Sequence, residues 1–262
     1  MNILEQFSLK GKVALLTGGT GLYGRQILEA LVEAGAKTCI ASRNAKNLNA
    51  TLAEYQNKGR TLEILCYDQG DESSILALRN ELRQRVQRLD VLVNNAVLRP
   101  MLNKGCQDEA AAFAESMRVN ATGLFVITRA FGDWMAEEGG GSIVNMGSIH
   151  GLIAPDAALY RNTNISGWYP DYFFHKGGMI NFTRFIASYY GGKGVRCNCI
   201  NPGGFQTEKM SETFVRQYCD RTLLGRMASQ TDLKGAVIFL ASEASAYITG
   251  ANIPVDGGYT AK

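Results

Sequence analysis

With 262 residues, 46% of them hydrophobic and 19% charged, the chain has the composition of a globular protein and the length for a substantial core. A net charge of +3 is too small to argue for nucleic acid or a membrane surface as a partner. No apolar run reaches the length of a membrane span, and residues 1–7 lack a signal peptide's basic start and apolar stretch, so the cytoplasm is the expected location.

Residues 12–17 form a short apolar run that ends in Gly18-Gly-Thr-Gly-Leu-Tyr-Gly24, followed by an amphipathic stretch over 25–34 closed by Gly35. Strand, glycine turn and helix stand in the order a dinucleotide fold requires. Gly19, Gly21 and Gly24 satisfy G-x-G-x-x-G, while Gly18, Gly21 and Gly24 place a glycine every third residue. Either pattern lets the backbone approach a pyrophosphate, whose charge meets the free N–H groups at the helix start. A second strand at 37–41 ends in Ser42-Arg43-Asn44. An acidic residue there would hold a ribose 2′-hydroxyl and select NAD. A hydroxyl and a planar guanidinium instead suit a 2′-phosphate, so NADP is expected ahead of NAD.

The alternation continues with strand 62–68, helix 74–88, strand 89–96, helices 109–118 and 120–137, and strand 142–146. Strands alternating with helices predict an α/β fold with a doubly wound parallel sheet. No repeat, linker or low-complexity tract interrupts it, so one domain is expected over 1–262. Of six cysteines, Cys39 and Cys66 lie in apolar runs that read as buried strands. Cys197-x-Cys199 has no second pair or neighbouring His to complete a zinc site, so reduced core thiols and no metal are expected.

Pro170 and the apolar series Met179, Phe182, Ile186, Tyr189 predict a helix from Asp171. Tyr172 and Lys176 then stand four apart on one face. A cation beside a phenol favours phenolate, which is how a tyrosine becomes a general acid–base near neutral pH. Tyr189 and Lys193 have the same spacing, but Gly191 and Gly192 lie between them, end the helix and leave no shared face.

Together these features resemble the short-chain dehydrogenase/reductase family nearly end to end. The resemblance is carried by Thr17-Gly-Gly-Thr-Gly-Leu-Tyr-Gly24, Asp68, Asn94-Asn95-Ala96, Asn120, Ser148, Tyr172-x-x-x-Lys176, Pro202-Gly203 with Thr207, and Val255-Asp-Gly-Gly258. It implies NAD(P)-dependent interconversion of a secondary alcohol and a ketone. Tyr172 would exchange the proton with the substrate oxygen, Ser148 would hold that oxygen, and Lys176 would assist Tyr172 and bond the nicotinamide ribose. Asn120 would hold a water linking Lys176 to solvent. The cofactor would lie along Gly18, Thr20, Gly21, Leu22, Tyr23 and Gly24, with Ser42, Arg43, Asp68, Asn94 and Ala96 toward its adenosine. Pro202, Gly203 and Thr207 would face its nicotinamide, and hydride would pass directly to carbon without a metal. A homotetramer is implied too, with contacts through the last strand and the Tyr172 helix, where Gly177 and Gly178 would allow close approach.

Four departures from the family pattern stand out. Leu22 replaces a usual Gly, Val97 replaces the Gly after Asn-Asn-Ala, and Gly147 replaces a common Ser, a change expected to cost little. The fourth is an insert at about 155–170, expected at the active-site mouth because both its ends are catalytic segments. Its Asp156, Tyr160, Arg161, Asn162, Thr163, Asn164, Ser166, Trp168 and Tyr169 offer aromatic faces with amide, hydroxyl and guanidinium groups, a composition suited to a sugar, sugar acid or polyol. Arg99, His150, Arg161 and Trp168 are candidate contacts to such a small-molecule substrate. A short lid at about 206–228 carries Arg216, Arg221 and Arg226, which favour an anionic substrate. The competing readings are a 3-oxoacyl thioester reductase and a non-catalytic, cofactor-binding regulatory protein.

Overall fold

A computed structural model describes residues 2–163 and 165–262. The apolar runs become a seven-stranded sheet in the order β3-β2-β1-β4-β5-β6-β7. Its strands are β1 Val13–Thr17, β2 Lys37–Ser42, β3 Glu63–Cys66, β4 Val91–Asn94, β5 Gly141–Met146, β6 Val195–Pro202 and β7 Asn252–Val255, and every adjacent pair is parallel. The helices are α1 Ile3–Gln6, α2 Leu22–Glu33, α3 Ala45–Asn57, α4 Glu72–Arg85, α5 Ala110–Met117, α6 Gly123–Glu137, α7 Pro170–Gly191, α8 Glu212–Cys219 and α9 Lys234–Ala241.

Successive strand residues point to opposite faces, so the sheet carries two apolar layers. Leu15, Leu92 and Ile143 pack with Leu78 of α4, Phe131 and Trp134 of α6 and Ile186 of α7. Leu16, Val93 and Val144 pack instead with Leu28 of α2, Leu48 of α3 and Val237 of α9. Helices on both faces of a parallel sheet are the doubly wound arrangement expected. The strand order reverses between β1 and β4, which opens a crevice at the carboxyl ends of those strands.

Several expectations need correction. The strands at 62–68 and 89–96 shrink at both ends to Glu63–Cys66 and Val91–Asn94. The helices at 109–118 and 120–137 are joined by a π-helical turn, Arg118–Thr122. The sequence reading leaves α1, α3, β6 and α9 unassigned. Cys39, Cys197 and Cys199 are buried free thiols, but Cys66 is exposed, because β3 is an edge strand. On α7 the core is formed by Met179, Ile186 and Tyr190, while Tyr189 is exposed. Although α7 stops at Gly191, the Lys193 ammonium still reaches 4.6 Å from the Tyr189 ring centroid, at the surface. No helix among the described residues is long and apolar enough to cross a membrane.

Candidate active site

The crevice holds a cavity of about 580 Å³. One wall is the glycine turn. Thr17 Oγ1 accepts the backbone N–H groups of Asn95 and Ala96 at 3.0 Å each, and the Asn95 amide donates to the carbonyls of Thr17 and Gly18 at 3.2 and 3.0 Å. The ends of β1 and β4 are thus tied across the crevice. A Cβ at position 24 would stand 2.1 Å from the Gly18 carbonyl, so this turn closes only with glycine there. Helix α2 starts after Gly21 with no side chain capping it. Its free N–H groups open onto a cavity that no Asp or Glu among the described residues lines. Those features fit a dinucleotide pyrophosphate. At the same end Arg43 lines the cavity without a side-chain hydrogen bond or ion pair among the described residues, while Asn44 caps α3.

The other wall is built by β5 and α7. Ser148 follows β5, and Asn201 at the end of β6 accepts its N–H at 3.3 Å. A Cβ on Gly147 would meet that same Asn201 oxygen at 2.1 Å and Cys199 Sγ at 2.8 Å. A serine at 147 would therefore need the Asn201 and Cys199 side chains to shift. Ser148 Oγ accepts the His150 N–H at 3.2 Å and donates to no group among the described residues, so its proton is available to a ligand.

Tyr172 lies in the first turn of α7 and faces the cavity. One turn on, Lys176 is buried behind it, with Nζ 5.6 Å from the Tyr172 ring centroid and donating to the Met146 carbonyl at 2.5 Å. Burial pushes the Lys176 ammonium below its usual pKa, and Tyr172 pulls the other way.

The π turn places Asn120 beside these residues. Its amide donates to the Leu98 carbonyl at 2.6 Å and to Ser116 Oγ at 2.9 Å, and its oxygen accepts the Leu98 N–H at 2.8 Å. Ser116 donates in turn to the buried Asp171 carboxylate at 2.6 Å. Both amide hydrogens are used, and this side chain clamps the 95–99 loop to the start of α7.

Of the residues singled out in sequence, Gly18, Thr20, Gly21, Leu22, Tyr23, Gly24, Ser42, Arg43 and Ala96 line the glycine side of one cavity. Pro202, Gly203, Ser148, Tyr172, Arg99 and His150 line the remainder. Seven do not line it, Asn120 and Lys176, already described behind the wall, among them. Asn94 bonds Thr128 and Asn145 inside the fold, and the Asp68 carboxylate accepts the Gly70 N–H. Thr207, Arg161 and Trp168 lie outside the lining, and Trp168 is 48% exposed. The lid arginines also miss it: Arg221 pairs with Asp156 at 2.5 Å, Arg226 with Asp232 at 2.6 Å, and Arg216 faces water. Asn164 lies outside the described residues. Residues not singled out as site residues do contribute, namely Asn95, Gln69, Tyr160, Tyr169 and Tyr218 in the wall, and Ser116 with Asp171 behind it. Leu159, Phe214, Tyr218 and Met227 share an apolar cluster, which packs the segment before Tyr172 onto the lid.

Two imidazoles flank Tyr172 edge-on, His150 at 5.9 Å and His175 at 5.2 Å between ring centroids. Burial, then Arg99, lowers the His150 pKa to about 4. Burial, then Lys176 and Arg99, lowers that of His175 to about 3. Both are neutral at pH 7, and neither His175 nitrogen has a partner among the described residues.

Residues 23–260 match a family model described as enoyl-(acyl carrier protein) reductase. Galactitol 2-dehydrogenase (L-tagatose-forming) of Cereibacter sphaeroides is 32% identical over 265 residues, 99% of each chain. The chain belongs to the short-chain dehydrogenase/reductase family. It is accordingly an NAD(P)-dependent oxidoreductase. D-threitol dehydrogenase of Mycolicibacterium smegmatis is 33% identical, over 98% of this chain and 95% of that one. Among solved structures, a gluconate 5-dehydrogenase from Burkholderia cenocepacia in complex with NADP and tartrate superimposes with a TM-score of 0.88 at 29% identity, over 100% of both chains.

The buried imidazoles set an expected pH dependence. The unfolded chain protonates histidine below about 6.5 while the folded state keeps both rings neutral, so their contribution is complete above that pH. It is lost as pH falls toward the folded values of about 4 and about 3. Urea unfolding from pH 7 to 4 is expected to show stability falling by up to ~1.4 kcal/mol per pH unit for each imidazole, with a shallower slope in His175→Leu. An unchanged slope in that variant would contradict the assignment.

Proposed function

We propose that the chain interconverts a secondary alcohol and a ketone on a sugar, sugar acid or polyol, with NADP preferred to NAD. The observation that carries this reading is the convergence of the glycine turn, Ser148 and Tyr172 on one cavity, with Lys176 buried behind Tyr172. When bound, the nicotinamide supplies or accepts the hydride at the carbinol carbon. The Tyr172 phenol exchanges the proton of the substrate oxygen. Ser148, its hydroxyl hydrogen uncommitted, donates to that same oxygen. Lys176 keeps a positive charge beside the phenol, and Asn120 fixes the loop opposite.

The preference for NADP is supported by Ser42 and the unpartnered Arg43, whose fork matches a 2′-phosphate. A hydroxylated substrate is supported by the phenols of Tyr160, Tyr169 and Tyr218, the Ser166 hydroxyl and neutral His150, which line the same cavity as Tyr172. An imidazole in that state both donates and accepts, as a polyol requires. The named activities of the two curated relatives point the same way. The segment at 155–170 is read as an insert that shapes this mouth. Packing into a homotetramer is supported by Phe174, Phe185 and Tyr189 of α7, which are 66%, 59% and 55% exposed. Sedimentation at the monomer mass would contradict that assembly.

The test is nicotinamide absorbance with purified protein, both cofactors, and a panel of polyols, aldonates, keto-sugars and 3-oxoacyl thioesters. Turnover of the hydroxylated compounds is expected, and turnover of thioesters alone would overturn the reading. In Arg43→Ala, KM for NADP should rise about 10–100-fold, as for a lost charged contact, with little change for NAD. Equal effects on both cofactors would contradict the assignment of Arg43.

A further inference from the structure

The cavity is charged at two points. No Asp, Glu or Lys lines it, and its only permanent cations among the described residues are Arg43 and Arg99. Arg99 is held from behind. Both backbone polar groups of the preceding residue, Leu98, are taken by Asn120, which leans on Ser116 and through it on Asp171. Pro100 follows and restricts the backbone on the other side. From this anchored start the guanidinium lies over two rings, its carbon 4.6 Å from the Tyr172 centroid and 5.1 Å from that of Tyr169.

Ring stacking uses the faces of a guanidinium and leaves its N–H edges for other partners. Among the described residues those edges make no hydrogen bond and no ion pair. The donor set is thus stacked on two rings, partly exposed and unspent, with no carboxylate in the cavity wall among the described residues, and next to the tyrosine that handles the proton. A planar carboxylate takes such a fork through two parallel hydrogen bonds.

We infer that Arg99 is the specificity residue of this site and that the substrate carries a carboxylate, as an aldonate does. This rests on the dehydrogenase reading above. The carboxylate is not consumed. It fixes which carbinol of a polyhydroxylated chain reaches Tyr172 and Ser148, a choice that hydroxyl contacts alone leave degenerate because the carbinols repeat along the chain.

The test uses matched pairs that differ in the carboxylate: gluconate and glucitol, galactonate and galactitol, threonate and threitol. Each is assayed with NADP+ and titrated calorimetrically into the NADP+-bound enzyme. The wild type is expected to prefer the acid of at least one pair. Arg99→Gln should lower kcat/KM for that acid about 30-fold or more, mostly through KM, and leave its polyol within about threefold. Arg99→Lys, which keeps the charge but not the fork, should recover part of the loss. An unchanged ratio of acid to polyol would overturn the inference. So would an equal fall on both, which would assign Arg99 to Tyr172 alone. Calorimetry separates this inference from the reading beneath it. Acid binding that depends on Arg99 without turnover of any pair would uphold the carboxylate site and overturn the reading of sugar acids and polyols as the compounds turned over. Turnover indifferent to Arg99 would do the reverse.

Discussion

An ammonium buried against the end of the sheet is the constraint on which the cleft depends. Lys176 is 4% exposed, and its one hydrogen-bond acceptor among the described residues is the carbonyl of Met146, the last residue of β5. A cation with a single neutral partner is unfavourable in a low-dielectric interior. It stays there because α7 is fixed independently at both ends. At the start of α7, Asp171 accepts the Ser116 hydroxyl. Near its end, Tyr190 is buried against α6 and its hydroxyl donates to Asp133 at 2.7 Å. The helix can then hold a charge beside Tyr172 that the charge itself would not choose.

The same restraint extends to the opposite wall. Asn120 sits in a π turn, an irregularity that turns its side chain onto the 95–99 loop instead of continuing the helical spiral. Through Asn120 and Ser116, the position of Leu98 is tied to the residue immediately before Tyr172. Cofactor wall, proton-handling residue and Arg99 are therefore parts of one hydrogen-bonded frame. Recognition and chemistry are mechanically linked in it, since a shift of α7 moves both Tyr172 and the backbone from which Arg99 projects.

Much of this was legible in the sequence where a local rule decides the outcome. The strand, glycine turn and helix at 12–34 follow from apolar runs and from positions that tolerate only glycine. Four-residue spacing put Tyr172 and Lys176 on one face. The inward direction of Asn94 is readable from parity: it shares a face with Leu92, which packs under α6, and Asn95 lines the crevice. Arg161 and Trp168 could not be placed, because a loop has no period from which to read side-chain direction. The loop itself is held by Leu159 and Tyr160 packed against Phe214 of the lid. The lid arginines illustrate the same limit, since Arg221 finds Asp156 from a distant part of the chain. The clamp from Leu98 to Asp171 likewise depends on a π turn that carries no compositional signature.

Lys176→Met tests the central claim most directly, because it keeps the length of the buried side chain and removes only the charge. Removing a poorly compensated buried cation should leave thermal stability unchanged or raised. Turnover with the best substrate should nevertheless fall at least about 100-fold, the scale of a lost proton-transfer contribution. A variant that melts no lower and retains turnover within about threefold would contradict the account, because the buried ammonium would then serve neither the fold nor the chemistry.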